Sequence, residues 1–139
     1  AASCDSGERP HYLIPSSVTA RLRTRPPMFR MLSFFDLEDG STIEEFEAAL
    51  TPFCQHMIDV GMLQSWGPIG KRSDNTPMDT DEDTHQRYFF VTTFVDKQQC
   101  DASYVYIKDG SEPCASLHRA MRSKMQRGIF SCWADGADG

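Results

Sequence analysis

Apolar residues gather in four short runs that predict β-strands at residues 29–35, 62–66, 87–95 and 129–133. The third run is almost wholly aromatic or β-branched, as its letters RYFFVTTFV show. Between the first two runs, apolar residues recur at steps of three and four, which predicts a helix. Ser41 and Glu44 form a capping box at its start, and Gly61 is placed to end it.

Two further helices are expected after the third strand. Asp96 is placed to cap the first of them. The other begins at Pro113, carries Met125 on its apolar face and ends at Gly128. The resulting order is strand, helix, strand, strand, helix (split in two), strand, which is typical of a ferredoxin-like βαββαβ sandwich. We therefore predict an α+β domain over residues 28–135, with a four-stranded antiparallel sheet and helices on one face.

The predicted strands are apolar on both faces. A sheet that helices cover on one face normally alternates apolar and polar residues, yet both parities of the third strand are apolar. The other face would leave an apolar patch in water, which monomers rarely tolerate. We therefore expect another sheet, a partner chain or an apolar ligand to cover it. The residues expected at this interface are Phe34, Tyr88, Phe90, Phe94 and Trp133.

Several segments of this core resemble a known family. MLSFFDL from Met31, GPIG from Gly67, TPMDTD from Thr76 and SLHR from Ser116 are similar to segments of an uncharacterised bacterial family in the dimeric α+β barrel superfamily. In that superfamily two ferredoxin-like protomers pack their open sheet faces together, and some members are monooxygenases. The resemblance covers residues 28–133. It implies the fold and a homodimer or another protein partner on the sheet face, but it transfers no catalytic residue.

Residues 1–27 differ in composition from the rest of the chain. They contain four arginines against one Asp and one Glu, are rich in Ser and Pro, and follow no periodicity. We expect an extended arm that lies on a partner chain, or a processed organellar leader added to an older core. Residues 136–139 should form a flexible tail.

Charge and cysteine content limit the class of protein. The 139 residues carry a net charge of −6, and no apolar run approaches the roughly 18 to 20 residues of a membrane span. We therefore expect neither nucleic-acid binding nor a membrane span. The five cysteines include no CxxC pair, and four of them, Cys54, Cys100, Cys114 and Cys132, lie in apolar stretches, which indicates reduced, buried thiols and a reducing compartment. That compartment is a plastid stroma or a mitochondrial matrix if the extension is a leader, and otherwise the cytoplasm.

Candidate chemistry is sparse. No metal-ligand spacing and no cofactor motif occurs, so we expect neither a metal nor a cofactor. The four histidines are scattered along the chain. His85, just before the third strand, and His118, on the third helix, are the candidates for a general acid or base, because histidine titrates near neutral pH.

Two hypotheses follow for the function. The first, which we favour from the sequence, is a non-catalytic assembly protein that associates through its open sheet face, as a peripheral subunit of a photosynthetic or respiratory complex. The second is a small cofactor-independent monooxygenase or isomerase acting on an aromatic or polyketide-like substrate with His85 or His118. A cavity between sheet and helices with a histidine in its wall would favour the second hypothesis. A solid aromatic core there would favour the first.

Overall fold

The computed structural model describes residues 26–73 and 76–136 and confirms an α+β fold. The predicted arm, residues 1–27, lies outside the described residues except for its last two, and so does the predicted tail except for residue 136. The elements in chain order are β1 (Phe29–Leu37), α1 (Ile43–Asp59), β2 (Ser65–Trp66), β3 (Gly70–Lys71), β4 (Tyr88–Phe94), α2 (Lys97–Asp109), α3 (Cys114–Arg122) and β5 (Met125–Ala134).

The strands form one antiparallel sheet in the order β2-β4-β1-β5. Strands β2 and β3 both pair with β4, so together they act as one edge strand that is interrupted at Gly67 and Pro68. Because β2 and β3 are separate strands, the described sheet has five strands and not the four predicted. The ferredoxin-like order of the strands is confirmed. This edge requires glycine at position 70, because a Cβ there would lie 2.4 Å from the ring of Phe89.

The start of helix α1 differs from the prediction. Its N-cap is Thr42, whose hydroxyl accepts a hydrogen bond from the Glu45 amide at 3.2 Å. The predicted capping box of Ser41 and Glu44 is therefore wrong. The helix runs through Pro52 as one element. Its buried residues are Phe46, Leu50, Phe53, Cys54 and Met57.

The boundary between α3 and β5 also differs from the prediction. The helix ends at Arg122, and Met125 is the first residue of β5 rather than part of the helix. Gly128 therefore lies inside a strand instead of ending a helix. The strand bulges here: Arg127 has a φ of 51°, in the left-handed region, and the register of β5 against β1 shifts at this point.

Helices cover one face of the sheet and leave the other open. The pairing register aligns residues of the three long strands in rows across each face. The central rows of the covered face are Phe90, Ser33, Phe130 and Thr92, Met31, Cys132. The rows of the open face are Phe89, Phe34, Ile129; Val91, Leu32, Ser131; and Thr93, Arg30, Trp133.

The five predicted interface residues divide between these faces. Phe90 and Phe94 are each 4% exposed and lie in the core under the helices, and Tyr88 shares their face. Phe90 and Phe94 are therefore not available to a partner on the open face, and Tyr88 is half-buried on the covered face. Phe34 and Trp133 lie on the open face, where their part in an interface remains a prediction. Because both parities of β4 are apolar, the sequence could not distinguish the two faces.

Candidate ligand-binding cavity

A cavity of about 500 Å³ lies between the covered face of the sheet and the three helices. Ser33, Phe90 and Thr92 contribute to its floor from the sheet, and residues of α1, α2 and α3 form its walls. Most of these side chains are apolar. A mainly apolar cavity of this volume with a few convergent polar groups is typical of a small-molecule site.

The lining residues show where the cavity opens. Those of the floor and of α1 are largely buried, whereas Tyr104, Lys108, Arg122 and Phe130 are exposed. Lys108 belongs to the last turn of α2, Arg122 to the last turn of α3, and Phe130 to β5. The mouth of the cavity, defined by these four residues, therefore lies where the ends of two helices meet the edge strand β5.

His118 lines the cavity from helix α3. Its ring centroid lies 5.4 Å from that of Phe53, and no hydrogen bond joins it to another residue in the described part of the chain. Burial, and then the positive charge of Arg122 one turn further along the helix, lowers the pKa of His118 from 6.5. The imidazole is therefore uncharged at neutral pH, with a nitrogen able to accept a proton.

Two other titratable groups of the wall stay protonated at neutral pH. Burial raises the pKa of the Cys54 thiol to about 12. Burial also raises the pKa of Tyr104, and contacts with Cys100 and Cys132 raise it further. The Tyr104 hydroxyl donates to the sulfur of Met31 at 3.3 Å. His118 is thus the group in this wall suited to act as a base.

The floor contains a hydroxyl without a protein partner. Ser33 is 1% exposed, and its Oγ makes no hydrogen bond in the described part of the chain. Leaving a buried hydroxyl unpaired costs about 1–3 kcal/mol. A ligand atom in the cavity would offset that cost. Ser33 was not among the predicted site residues, although a serine between Leu32 and Phe34 in an apolar stretch of β1 was a signal.

The structure places His85 outside this cavity. Its Nδ1 forms a hydrogen bond with the carboxylate of Asp36, and its side chain is 63% exposed. Asp36 is buried and also accepts hydrogen bonds from the Nε of Arg127 and the amide of Arg87, each at 3.1 Å. Burial alone would raise the pKa of Asp36, but the bonds from Arg127 and His85 outweigh it and lower the value. The two candidate histidines therefore do not share a site.

Within residues 26–73 and 76–136, no three His, Cys, Asp or Glu side chains lie close enough together to hold a metal ion. No helix in those ranges has the length and apolar character needed to cross a membrane. The described cysteines, Cys54, Cys100, Cys114 and Cys132, are free thiols, and Cys132 is exposed rather than buried as predicted.

Solved structures share the fold of this chain. A variant of SnoaB, a cofactor-independent oxygenase from Streptomyces nogalater, aligns with a TM-score of 0.55 at 9% identity over 78% of this chain and 92% of its own. The hydroxynitrile lyase of Passiflora edulis aligns at 0.54 and 10% identity over 81% and 96%. A dimeric ferredoxin-like protein of unknown function from Thermobifida fusca aligns at 0.50 and 12% identity over 79% and 92%.

These similarities define the fold and leave the activity open. The chain has a ferredoxin-like α+β fold, as the sequence pattern and the resemblance implied. No family model and no curated protein matches the sequence. Because one fold hosts many activities, the function has to be argued from the cavity itself.

Proposed function

We propose that this protein is a small cofactor-independent enzyme that binds an aromatic or polyketide-like molecule in the cavity and transfers a proton through His118. The observation that carries the proposal is the cavity, which is mostly apolar and has an uncharged imidazole in its wall. A non-catalytic assembly protein has no need of such a space. The structure thus favours the second of the two hypotheses.

The chemistry that this site supports is proton abstraction. The free imidazole nitrogen of His118 takes a proton from an acidic C–H or O–H bond, and the electron pair of that bond stays on the substrate as an enolate or phenolate. Return of the proton to another atom completes an isomerisation. An oxygenation would in addition consume dioxygen as the electron acceptor. The hydroxyl of Ser33 is a donor available to a developing oxyanion.

Two structural relatives support an enzymatic role. One is named as a cofactor-independent oxygenase and the other as a hydroxynitrile lyase. Neither exceeds 10% identity with this chain, so they support only the capacity of the fold for such chemistry.

Deuterium exchange tests this proposal. In D₂O, 2-tetralone, an apolar benzo-fused ketone whose C1–H bonds are both benzylic and next to the carbonyl, should exchange its C1 protons faster with the protein than in buffer. His118→Gln should lower the protein-catalysed rate by about 10²-fold, the lower end for a general base. His85→Gln is the matched control and should retain the rate. No acceleration by the wild-type protein, or equal losses in both variants, would contradict the proposal.

We also propose that a second copy of this chain covers the open face. That face exposes three large apolar side chains, Phe89, Ile129 and Trp133, and exposed apolar surface of this kind marks interaction sites. The Thermobifida fusca relative is dimeric, which supports a homodimer over other partners. A role in a larger organellar complex, and contact of the N-terminal arm with a partner, remain predictions.

Light scattering during size-exclusion chromatography tests the dimer. Ile129→Glu should convert the wild-type dimer to a monomer, because a carboxylate would be desolvated at the interface. Val105→Glu is the control, since Val105 is exposed on helix α2, away from the open face. A monomeric wild-type protein, or the same behaviour of both variants, would refute the dimer.

A further inference from the structure

We infer that the ligand of this cavity is an amphiphilic anion, with a carboxylate at the mouth, an apolar body along the walls and a hydrogen-bonding oxygen at the floor. The inference deepens the proposed function and rests on the cavity being the binding site. Two independent features carry it: the charge at the mouth and the unpartnered hydroxyl at the floor.

The charge at the mouth is positive, although the whole chain carries −6. Lys108 and Arg122 both line the cavity, and its lining residues include no Asp or Glu. The guanidinium of Arg122 lies 5.2 Å from the ring centroid of Phe130, and its Nη1 is 3.9 Å from the sulfur of Met125. No carboxylate of the described residues pairs with it. A guanidinium held against apolar groups is well suited to bind a carboxylate through two parallel hydrogen bonds.

Helix stabilisation is the competing explanation for these cations. Both lie in the last turn of a helix, where a positive charge contributes about 0.3–1 kcal/mol by opposing the partial negative charge of the helix end. Arg119 lies in the same last turn of α3 but does not line the cavity. Helix stabilisation and the nearby charge of Glu112 account for Arg119, but they do not explain why Lys108 and Arg122 border one opening.

The floor of the cavity would bind the end of the ligand opposite its carboxylate. Ser33 is buried at the centre of the covered face, between Phe90 and Phe130 of the neighbouring strands, whereas the two cations are exposed at the mouth. A ligand that reaches both therefore has polar groups at its two ends. The surfaces between them are apolar, including Leu50, Phe53 and Met121. An aromatic or aliphatic body with one oxygen function opposite its carboxylate satisfies these conditions.

Three related probes separate the two contributions. 6-Hydroxy-2-naphthoate carries both polar ends, 2-naphthol lacks the carboxylate, and 2-naphthoate lacks the hydroxyl. Calorimetric titration of the full chain should give the tightest binding for 6-hydroxy-2-naphthoate. Loss of the carboxylate should weaken binding about tenfold, as expected for a charge-assisted hydrogen bond, and loss of the hydroxyl about threefold, as expected for a neutral one.

Single substitutions test which residues bind the carboxylate and the hydroxyl of these probes. Arg122→Gln and Lys108→Gln should reduce the advantage of the carboxylate, and Arg119→Gln, the matched control, should leave it unchanged. Ser33→Ala should abolish the advantage of the hydroxyl. It should also leave the melting temperature unchanged or raise it, because the alanine removes an unpaired buried hydroxyl and no protein hydrogen bond.

The outcomes distinguish this inference from the proposed function. Equal affinities of the wild-type protein for 6-hydroxy-2-naphthoate and 2-naphthol would overturn the anionic ligand and leave the cavity as a binding site. An equal effect of Arg119→Gln and Arg122→Gln would do the same. Failure of all three probes to bind would overturn both the inference and the proposed function.

Discussion

The two faces of the sheet carry similar apolar residues in different surroundings. On the covered face, the helices enclose Phe90 but leave a cavity in which the polar groups of His118 and Ser33 have no protein hydrogen-bond partner in the described structure. On the open face, apolar side chains such as Phe89 are exposed, while the nearby carboxylate of Asp36 is fully engaged.

The two candidate histidines differ in the same way as the two faces. His85 is held by a buried carboxylate at the surface, which accounts for it as part of a cluster that fixes the strand ends. His118 has no such partner and lies in the wall of the cavity. Unpaired polar groups inside an apolar cavity therefore mark the candidate site better than residue type does.

The largest expected effect compares adjacent phenylalanines on opposite faces of β4. Phe90→Ala should lower the free energy of unfolding by about 3–5 kcal/mol, because the side chain is buried in the core. Phe89→Ala should lower it by only about 1 kcal/mol, a typical effect for a partly exposed side chain. Urea unfolding in an Ile129→Glu background would measure both values without a contribution from dimer formation. Similar losses in the free energy of unfolding for the two variants would show that Phe89 and Phe90 do not differ in burial as described.

A smaller effect should come from the Asp36 cluster. Asp36→Ala should lower the free energy of unfolding by about 2 kcal/mol, less than for a fully buried ion pair, because Arg127 and His85 are partly exposed and regain water. Because the pKa of Asp36 is lowered, its ionised carboxylate stabilises the fold at pH values above 3.8, the ordinary pKa of an aspartate. This stabilisation is lost as the pH falls from 3.8 through the lowered pKa.

Asp36→Asn should therefore flatten the dependence of the melting temperature on pH below about pH 4. The variant should leave ligand binding in the cavity unchanged, which serves as the internal control. If the melting temperature of Asp36→Asn falls below about pH 4 as steeply as that of the wild-type protein, Asp36 is not the cause of this pH dependence.

The smallest effect concerns the base itself. Because burial and Arg122 lower the pKa of His118, the exchange rate should rise with pH to a plateau, with its midpoint below 6.5. Arg122→Gln should move this midpoint upward, but only part of the way, because burial is the larger cause. A midpoint above 6.5 in the wild-type protein would contradict the environment described for His118.

The order of elements was predictable from the sequence, whereas some boundaries were not. Met121 and Met125 stand four residues apart, so the helical period continues into what is the first residue of β5. Thr42 and Ser41 are adjacent and both are good capping residues, and only the backbone geometry selects Thr42. Periodicity and capping signals thus locate an element but not its last residue.

The candidate site was only partly predictable. His118 was identified because histidine is rare and titrates near neutral pH. Ser33, Lys108 and Arg122 were not, since they come from β1, α2 and α3 and meet only in the folded chain. The same reason explains why His85 was paired with His118 in the prediction: residue type carries no information on which side of the sheet a side chain lies.

A titration that follows both histidines at once tests whether the cavity is the ligand-binding site. Imidazole resonances of His118 and His85 would be recorded by NMR while 6-hydroxy-2-naphthoate is added to the full chain, with each assigned through its Gln variant. We expect the resonances of His118 to shift in proportion to ligand bound and those of His85 to stay in place. A shift of His85 alone, or of neither histidine at saturating ligand, would show that the ligand does not bind in the cavity.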